Sequence, residues 1–97
     1  MTTYVDGLIK YDSQSTKGLR HNQWCHLTSD TKEELHRFAE LLGLKQPWFQ
    51  DHLYRWHYDI TPSKRAKAVQ LGAVELSWGD MGRLMIERKK RIKGDDN

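Results

Sequence analysis

The chain has 97 residues, 37% apolar and 30% charged, with a net charge of +3 and a pI near 9.1, which bounds it to one small, polar, mildly basic domain. Four Trp and four Tyr exclude a disordered chain, the single cysteine Cys25 excludes an internal disulfide, and no apolar run approaches the ~20 residues of a membrane helix. The N-terminal segment MTTYVDGLIKYD lacks the basic start and apolar stretch of a secretory signal, so the expectation is a soluble protein of a reducing cytoplasm.

Thr2 to Asp6 reads as a short strand ended by Asp6-Gly7, and the polar stretch 10–23 reads as a loop. Trp24 to Thr28 is a second strand running into Ser29-Asp30-Thr31. Thr31 with Glu34 forms a capping box, with Asp30 and Glu33 as the alternative register. Leu35, Phe38, Ala39 and Leu42 recur at helical spacing until Gly43 stops the helix. Leu44 to Arg55 carries Pro47 and several aromatics, with Trp48-Phe49-Gln50 as a helical turn or a plug between elements. Trp56 to Ile60 is a third strand. Thr61 caps a second helix that has Pro62 in its first position and ends at Gly72. Ala73 to Leu76 is a fourth strand, and Ser77 with Asp80 opens a third helix to about Lys93, with Met81, Leu84, Met85, Arg88 and Ile92 on one side and a fraying tail beyond.

Strands alternating with helices predict a small single α/β domain: a three- or four-stranded, largely parallel sheet with about three helices. Residues 1–77 would form the core, and 78–97 a basic C-terminal helix and tail. In a parallel sheet ligands gather beyond the carboxyl ends of the strands. There Asp6, Asp30 and Asp59 would converge, three carboxylates suited to Mg²⁺ or Mn²⁺, with no organic cofactor expected. The same residues also serve as caps and turn formers. His57 shares a strand face with Asp59 and makes the best acid/base pair, with His36 as a second imidazole. His26 and His36 could approach one another and, with Cys25, invite a zinc reading. Against that, Cys25 and His26 point to opposite faces and no C-x-x-C or H-x-x-x-H spacing occurs. Thr61, Lys64 and Arg65 at the second helix N-terminus would bind phosphate. On the helical wheel Arg65 turns inward, toward phosphate or Asp59, and Lys64 outward.

The combination of Tyr4-Val5-Asp6, His26-Leu27, Asp30, Glu34-Leu35-His36, Trp48-Phe49-Gln50, His57-Tyr58-Asp59-Ile60-Thr61, Lys64-Arg65 and Gly72-Ala73 resembles the DUF4031 family over roughly residues 3 to 77. That family occurs in bacteria and phages and has no established activity, so the resemblance implies a domain and residues of interest without a function. For a phage-encoded chain the compartment would be the host cytoplasm. Gly7 departs from the pattern, since relatives often carry a second Asp there.

The leading expectation is a phosphate- or nucleic-acid-directed protein, a metal-dependent phosphoesterase or nuclease. Arg83, Arg88, Lys89, Lys90 and Arg91 suggest the alternative of a non-enzymatic nucleic-acid binder. A second alternative is a small phage protein that docks on a host protein through exposed aromatics near Trp48 and Trp78. No membrane contact is expected, and monomer and homodimer both stay open.

Overall fold

The computed structural model describes residues 2–10 and 23–94, so most of the expected loop 10–23 and the end of the expected tail lie outside the described residues. The strands are β1 (Thr3–Val5), β2 (Ile9–Lys10), β3 (Gln23–Ser29), β4 (Tyr58–Ile60) and β5 (Val74–Glu75). The helices are α1 (Lys32–Leu41), α2 (Pro62–Gln70) and α3 (Trp78–Gly94), with a 3₁₀ turn at Gln46–Trp48.

β3 is the centre of the sheet. β1 lies antiparallel to it, Val5 opposite Leu27, and β4 lies antiparallel to it, Cys25 opposite Ile60. β2 continues the β1 edge with Ile9 opposite Trp24. Between these registers Asp6, Gly7 and Leu8 face only Cys25 and His26, which makes a β-bulge. β5 pairs with β1, Tyr4 opposite Val74, and this is the parallel pair among the described strands of a five-stranded mixed sheet.

The sheet is therefore not largely parallel. A helix that follows a strand usually returns the chain to the strand's starting end. Here the irregular segment 43–57 after α1 traverses the domain once more, so β4 enters antiparallel to β3. β2 also escapes a pattern-based reading, because a two-residue strand has no period to detect.

The helix signals hold. Thr31 Oγ1 accepts the Glu34 N–H at 3.2 Å, and Gly43 ends α1 with φ +78°, a conformation that favours glycine. Leu35, Ala39 and Leu42 bury against Leu27, Tyr58 and Ile60, with Ala68 of α2 completing the core on this face. Cys25 belongs to that core. Burial pushes its thiol up to about 12, with the Asp6 charge adding to the rise, so it is no nucleophile at neutral pH.

Thr61 Oγ1 accepts the Lys64 N–H at 3.4 Å and caps α2. Thr61→Ala is expected to remove about 1 kcal/mol of stability and lower the melting temperature by roughly 5 °C. Calorimetry checks this, and an unchanged melting temperature would mean that the cap is replaced by water at no cost.

α3 lies over the opposite face of the sheet, where Met81 and Met85 share a cavity with His26. Ser77 Oγ accepts the Asp80 N–H at 3.0 Å, as the S-x-x-D signal implies. Trp78 Nε1 donates to the Gly7 carbonyl at 2.7 Å, and a Cβ on residue 7 would fall 2.8 Å from that nitrogen. The departure at Gly7 is thus what lets the start of α3 seat on the bulge. No helix among the described residues is long and apolar enough to cross a membrane.

Candidate metal centre

The bulge at Asp6 sets the site. Asp6 is buried, 2% exposed, and its Oδ1 accepts the His26 backbone N–H at 2.7 Å in place of a regular ladder bond. Its Oδ2 lies 2.6 Å from His26 Nδ1. A carboxylate only accepts, so Nδ1 carries the proton and Nε2 keeps its lone pair. Period-2 alternation puts His26 on the face away from the α1–α2 core, directly opposite Asp59 on β4. His57, two residues before Asp59, joins them. Its Nδ1 donates to the Arg55 carbonyl at 2.6 Å, which leaves its Nε2 available as well. Gln50 Nε2 donates to Asp59 Oδ2 at 2.7 Å and leaves Oδ1 turned toward the imidazoles. Asp59 Oδ1 stands 3.3 Å from His57 Nε2 and 3.9 Å from His26 Nε2.

Among the described residues, the His, Cys, Asp or Glu side chains close enough to hold an ion are His26, His57 and Asp59, one ligating atom of each within 4.8 Å of the others. In each of the three, the second polar atom is held by another group of the protein. Such outer hydrogen bonds orient metal ligands and fix the imidazole tautomer. The residues fit a divalent cation on the chemistry of the donor set. Two imidazoles and one carboxylate suit Zn²⁺, Mn²⁺ or a similar transition ion better than Mg²⁺.

The pKa shifts belong to the imidazolium forms, in which Nε2 carries the proton that a cation would replace. The hydrogen bond to Asp6 raises the His26 imidazole above its ordinary value, burial opposes this, and the Asp6 and Asp59 charges add to the rise. Burial alone would raise the Asp59 carboxyl. Hydrogen bonds from His57 and Gln50, with the nearby His57 and His26 charges, outweigh that and hold it below the usual carboxylate range.

Two cavities border this cluster. One of about 480 Å³ lies between the sheet and α3; His26 and His57 reach into it, and Ile9, His52, Arg55, Trp78, Met81 and Met85 bound it. The other, of about 460 Å³, is reached by Asp59 and Gln50 and walled by Trp24, Leu44, Trp48 and Lys64. His52 stacks on His57 with ring centroids 6.1 Å apart. The turn presenting His52 and Arg55 is closed by an Arg55 N–H bond to the His52 carbonyl and puts Leu53 at φ +46°. For a residue with a Cβ this costs on the order of 1–2 kcal/mol, a strain of the kind that accumulates where side chains are aimed at a site.

The residues expected from the sequence divide. Asp59 and His57 are in the cluster, and Asp6 stands behind it as the partner of His26. Asp30 is not there. β1 and β3 are antiparallel, so the ends of the two strands lie at opposite ends of the sheet, and Asp30 accepts from the Tyr4 hydroxyl and the Thr2 N–H instead. His36 lies on the core side, bonded to the Tyr58 hydroxyl at 2.9 Å, and does not join His26. Arg65 turns inward as expected, but its partners are the Asp6 carbonyl and Glu75 rather than Asp59. Thr61 is engaged as a cap. Lys64 turns back to the Leu42 carbonyl at the end of α1 rather than outward.

On α3, Arg88 is buried over the Trp56 ring and donates to the Ser29 carbonyl, which removes it from any outward basic face. Arg83, Lys89, Lys90 and Arg91 remain exposed, Arg83 with Asp80 and Lys90 near Glu87. Gln50, His52 and Arg55 were not expected at the site. The sequence offers His26 as a zinc ligand only together with Cys25 and His36. Alternation along Trp24 to Thr28 already separates His26 from Cys25, but only the antiparallel β3–β4 pairing places it against Asp59.

Neither a curated protein nor a solved structure matches the chain. A family model described as protein of unknown function (DUF4031) matches residues 9–88, taking in α3 as far as Arg88, beyond the boundary at 77 drawn from the motifs. The fold and cluster described above are thus those of a chain that belongs to the DUF4031 family.

Proposed function

We propose that this domain is a metal-dependent hydrolase of phosphoesters, with the ion held by His26, His57 and Asp59. The observation that carries the reading is the triangle of ligating atoms within 4.8 Å, each backed by a second partner. A bound divalent cation supplies Lewis-acid activation of water and offsets charge developing at phosphorus. Zn²⁺ and Mn²⁺ are the preferred ions, and Mg²⁺ falls behind because of the two imidazoles.

The protein's own part is orientation and proton handling. Asp6, the Arg55 carbonyl and Gln50 fix the three ligands. The Arg55 side chain lines the adjoining cavity and offers a cation to phosphate oxygens, and His52 offers an imidazole to the leaving group. In the reaction the water oxygen bonds to phosphorus and gives up a proton. One P–O ester bond breaks, its electron pair stays on the leaving oxygen, and that oxygen takes up a proton.

The test is a melting series on chelator-stripped protein with Zn²⁺, Mn²⁺ and Mg²⁺, for wild type, Asp59→Asn and His57→Ala. An ion at about 100 times its dissociation constant adds ~2.7 kcal/mol, which raises the melting temperature by on the order of 10 °C. The expected result is a rise with Zn²⁺ or Mn²⁺ that both variants lose, together with metal-dependent release of nitrophenol from bis(p-nitrophenyl) phosphate. A wild type that melts at the same temperature with every ion overturns the reading.

A further inference from the structure

We propose that the substrate is a phosphodiester carrying a flat apolar group on each side of the scissile phosphorus, the chemistry of one dinucleotide step in single-stranded nucleic acid. This rests on the metal reading above and specifies what that site receives. The cluster forms part of the walls of two cavities. His26 and His57 reach into the one of about 480 Å³, and Asp59 reaches into the one of about 460 Å³. Each volume falls within the ~300–1,000 Å³ of small-ligand pockets. A phosphomonoester has one substituent and would leave one cavity unfilled. A diester centred on the cluster fills both.

The walls name the groups. The first cavity presents Trp78, 60% exposed, and the second presents Trp48, 53% exposed. These half-exposed rings, Trp48 with the Lys45 ammonium 5.7 Å from its centroid and Trp78 held by its N–H to Gly7, suit stacking partners, and nucleobases stack on such rings whatever their sequence. A single strand is required, because in a duplex the two bases flanking a phosphate are already stacked and paired. Charge agrees: the chain carries a net +3, and α3 keeps Lys89, Lys90 and Arg91 exposed beyond the first cavity. Hydrolysis follows the balance given above and yields a nucleoside monophosphate and a nucleoside.

Binding to the Mn²⁺-loaded protein is followed by tryptophan fluorescence, with thymidine 5′-monophosphate, a thymidine dinucleotide and an abasic dinucleotide as probes. The dinucleotide is expected to bind at least tenfold more tightly than either of the other two. Trp48→Ala is expected to weaken dinucleotide binding about tenfold, the ratio that one lost base stack gives, and to leave the Mn²⁺ melting shift unchanged. Trp78→Ala should do the same. Because Trp78 also anchors α3, Trp48→Ala is the deciding variant. A normal Mn²⁺ shift with equal binding of all three probes, or with Trp48→Ala indistinguishable from wild type, overturns the two-sided substrate and leaves the metal site standing. Absence of any Mn²⁺ or Zn²⁺ shift overturns both.

Discussion

Arg88→Ala is expected to lower the unfolding free energy by about 3 kcal/mol, the range for removing one partner of a buried, hydrogen-bonded charge. In a domain of this size that corresponds to roughly 15 °C in melting temperature. Arg88 is 6% exposed, its guanidinium lies 3.8 Å over the Trp56 ring, and it donates to the Ser29 carbonyl. Burial pulls it down to about 10, with the Asp30 charge opposing the fall, so it stays charged at neutral pH. The side chain therefore fastens α3 to the sheet at one end while Trp78 does so at the other. Arg88→Lys should recover little, because an ammonium cannot lie flat on an indole and reach the carbonyl at once. Arg88→Met should recover more, since it still covers Trp56. Urea titration of the three variants checks the order, and a loss below 0.5 kcal/mol for the Ala variant would show that α3 is held by other contacts.

Asp6→Asn is expected to weaken Zn²⁺ or Mn²⁺ binding by about 10- to 100-fold, the usual effect of losing an outer partner of a ligating imidazole, at a modest cost in stability. The asparagine Oδ1 can still accept the His26 backbone N–H. Its amide then faces Nδ1 with hydrogens, so Nδ1 must accept and the ring proton moves to Nε2, the atom that would ligate. Competition titration against a chromogenic chelator measures this, and wild-type affinity in the variant would exclude His26 as a ligand. The metal-free proteins differ in pH dependence too. Because the His26 pKa is raised in the folded state, its contribution is fully present below about pH 6.5 and is lost as pH rises through the folded value. The stability gap between wild type and Asp6→Asn should therefore narrow as pH rises.

Helix ends were legible because they depend on short-range chemistry. Thr31, Thr61 and Ser77 cap where their side-chain oxygens and the residues three further on dictate, and Gly43 and Gly72 stop α1 and α2 at positive φ. The pairing of His57 with Asp59 was legible for the same reason, since two residues apart on a strand share a face. Strand direction was not, because it depends on how far segment 43–57 carries the chain before β4 begins. That one geometric fact moves Asp30 to the far end of the sheet and brings His26 to Asp59. Gln50, His52 and Arg55 sit in irregular backbone, where no period reports the direction of a side chain. Arg88 shows another limit. Its helical position put it with Met81 and Met85, whereas its charge suggested water, and the aromatic face of Trp56 with the Ser29 carbonyl decides in favour of burial.

The arrangement of strands around β3 also bears on how this chain behaves in concentrated solution. Among the described residues, the outer strands β2, β4 and β5 span two or three residues, so within them each offers a neighbouring molecule only a short row of unpaired backbone groups. The long strand, β3, has neighbours along both sides. β4 is flanked by the Gln50–His57 bridge before it and Pro62 after it, and a proline cannot extend a ladder. The described residues of this small domain thus present little template for intermolecular strand addition, the step by which sheet edges seed aggregation.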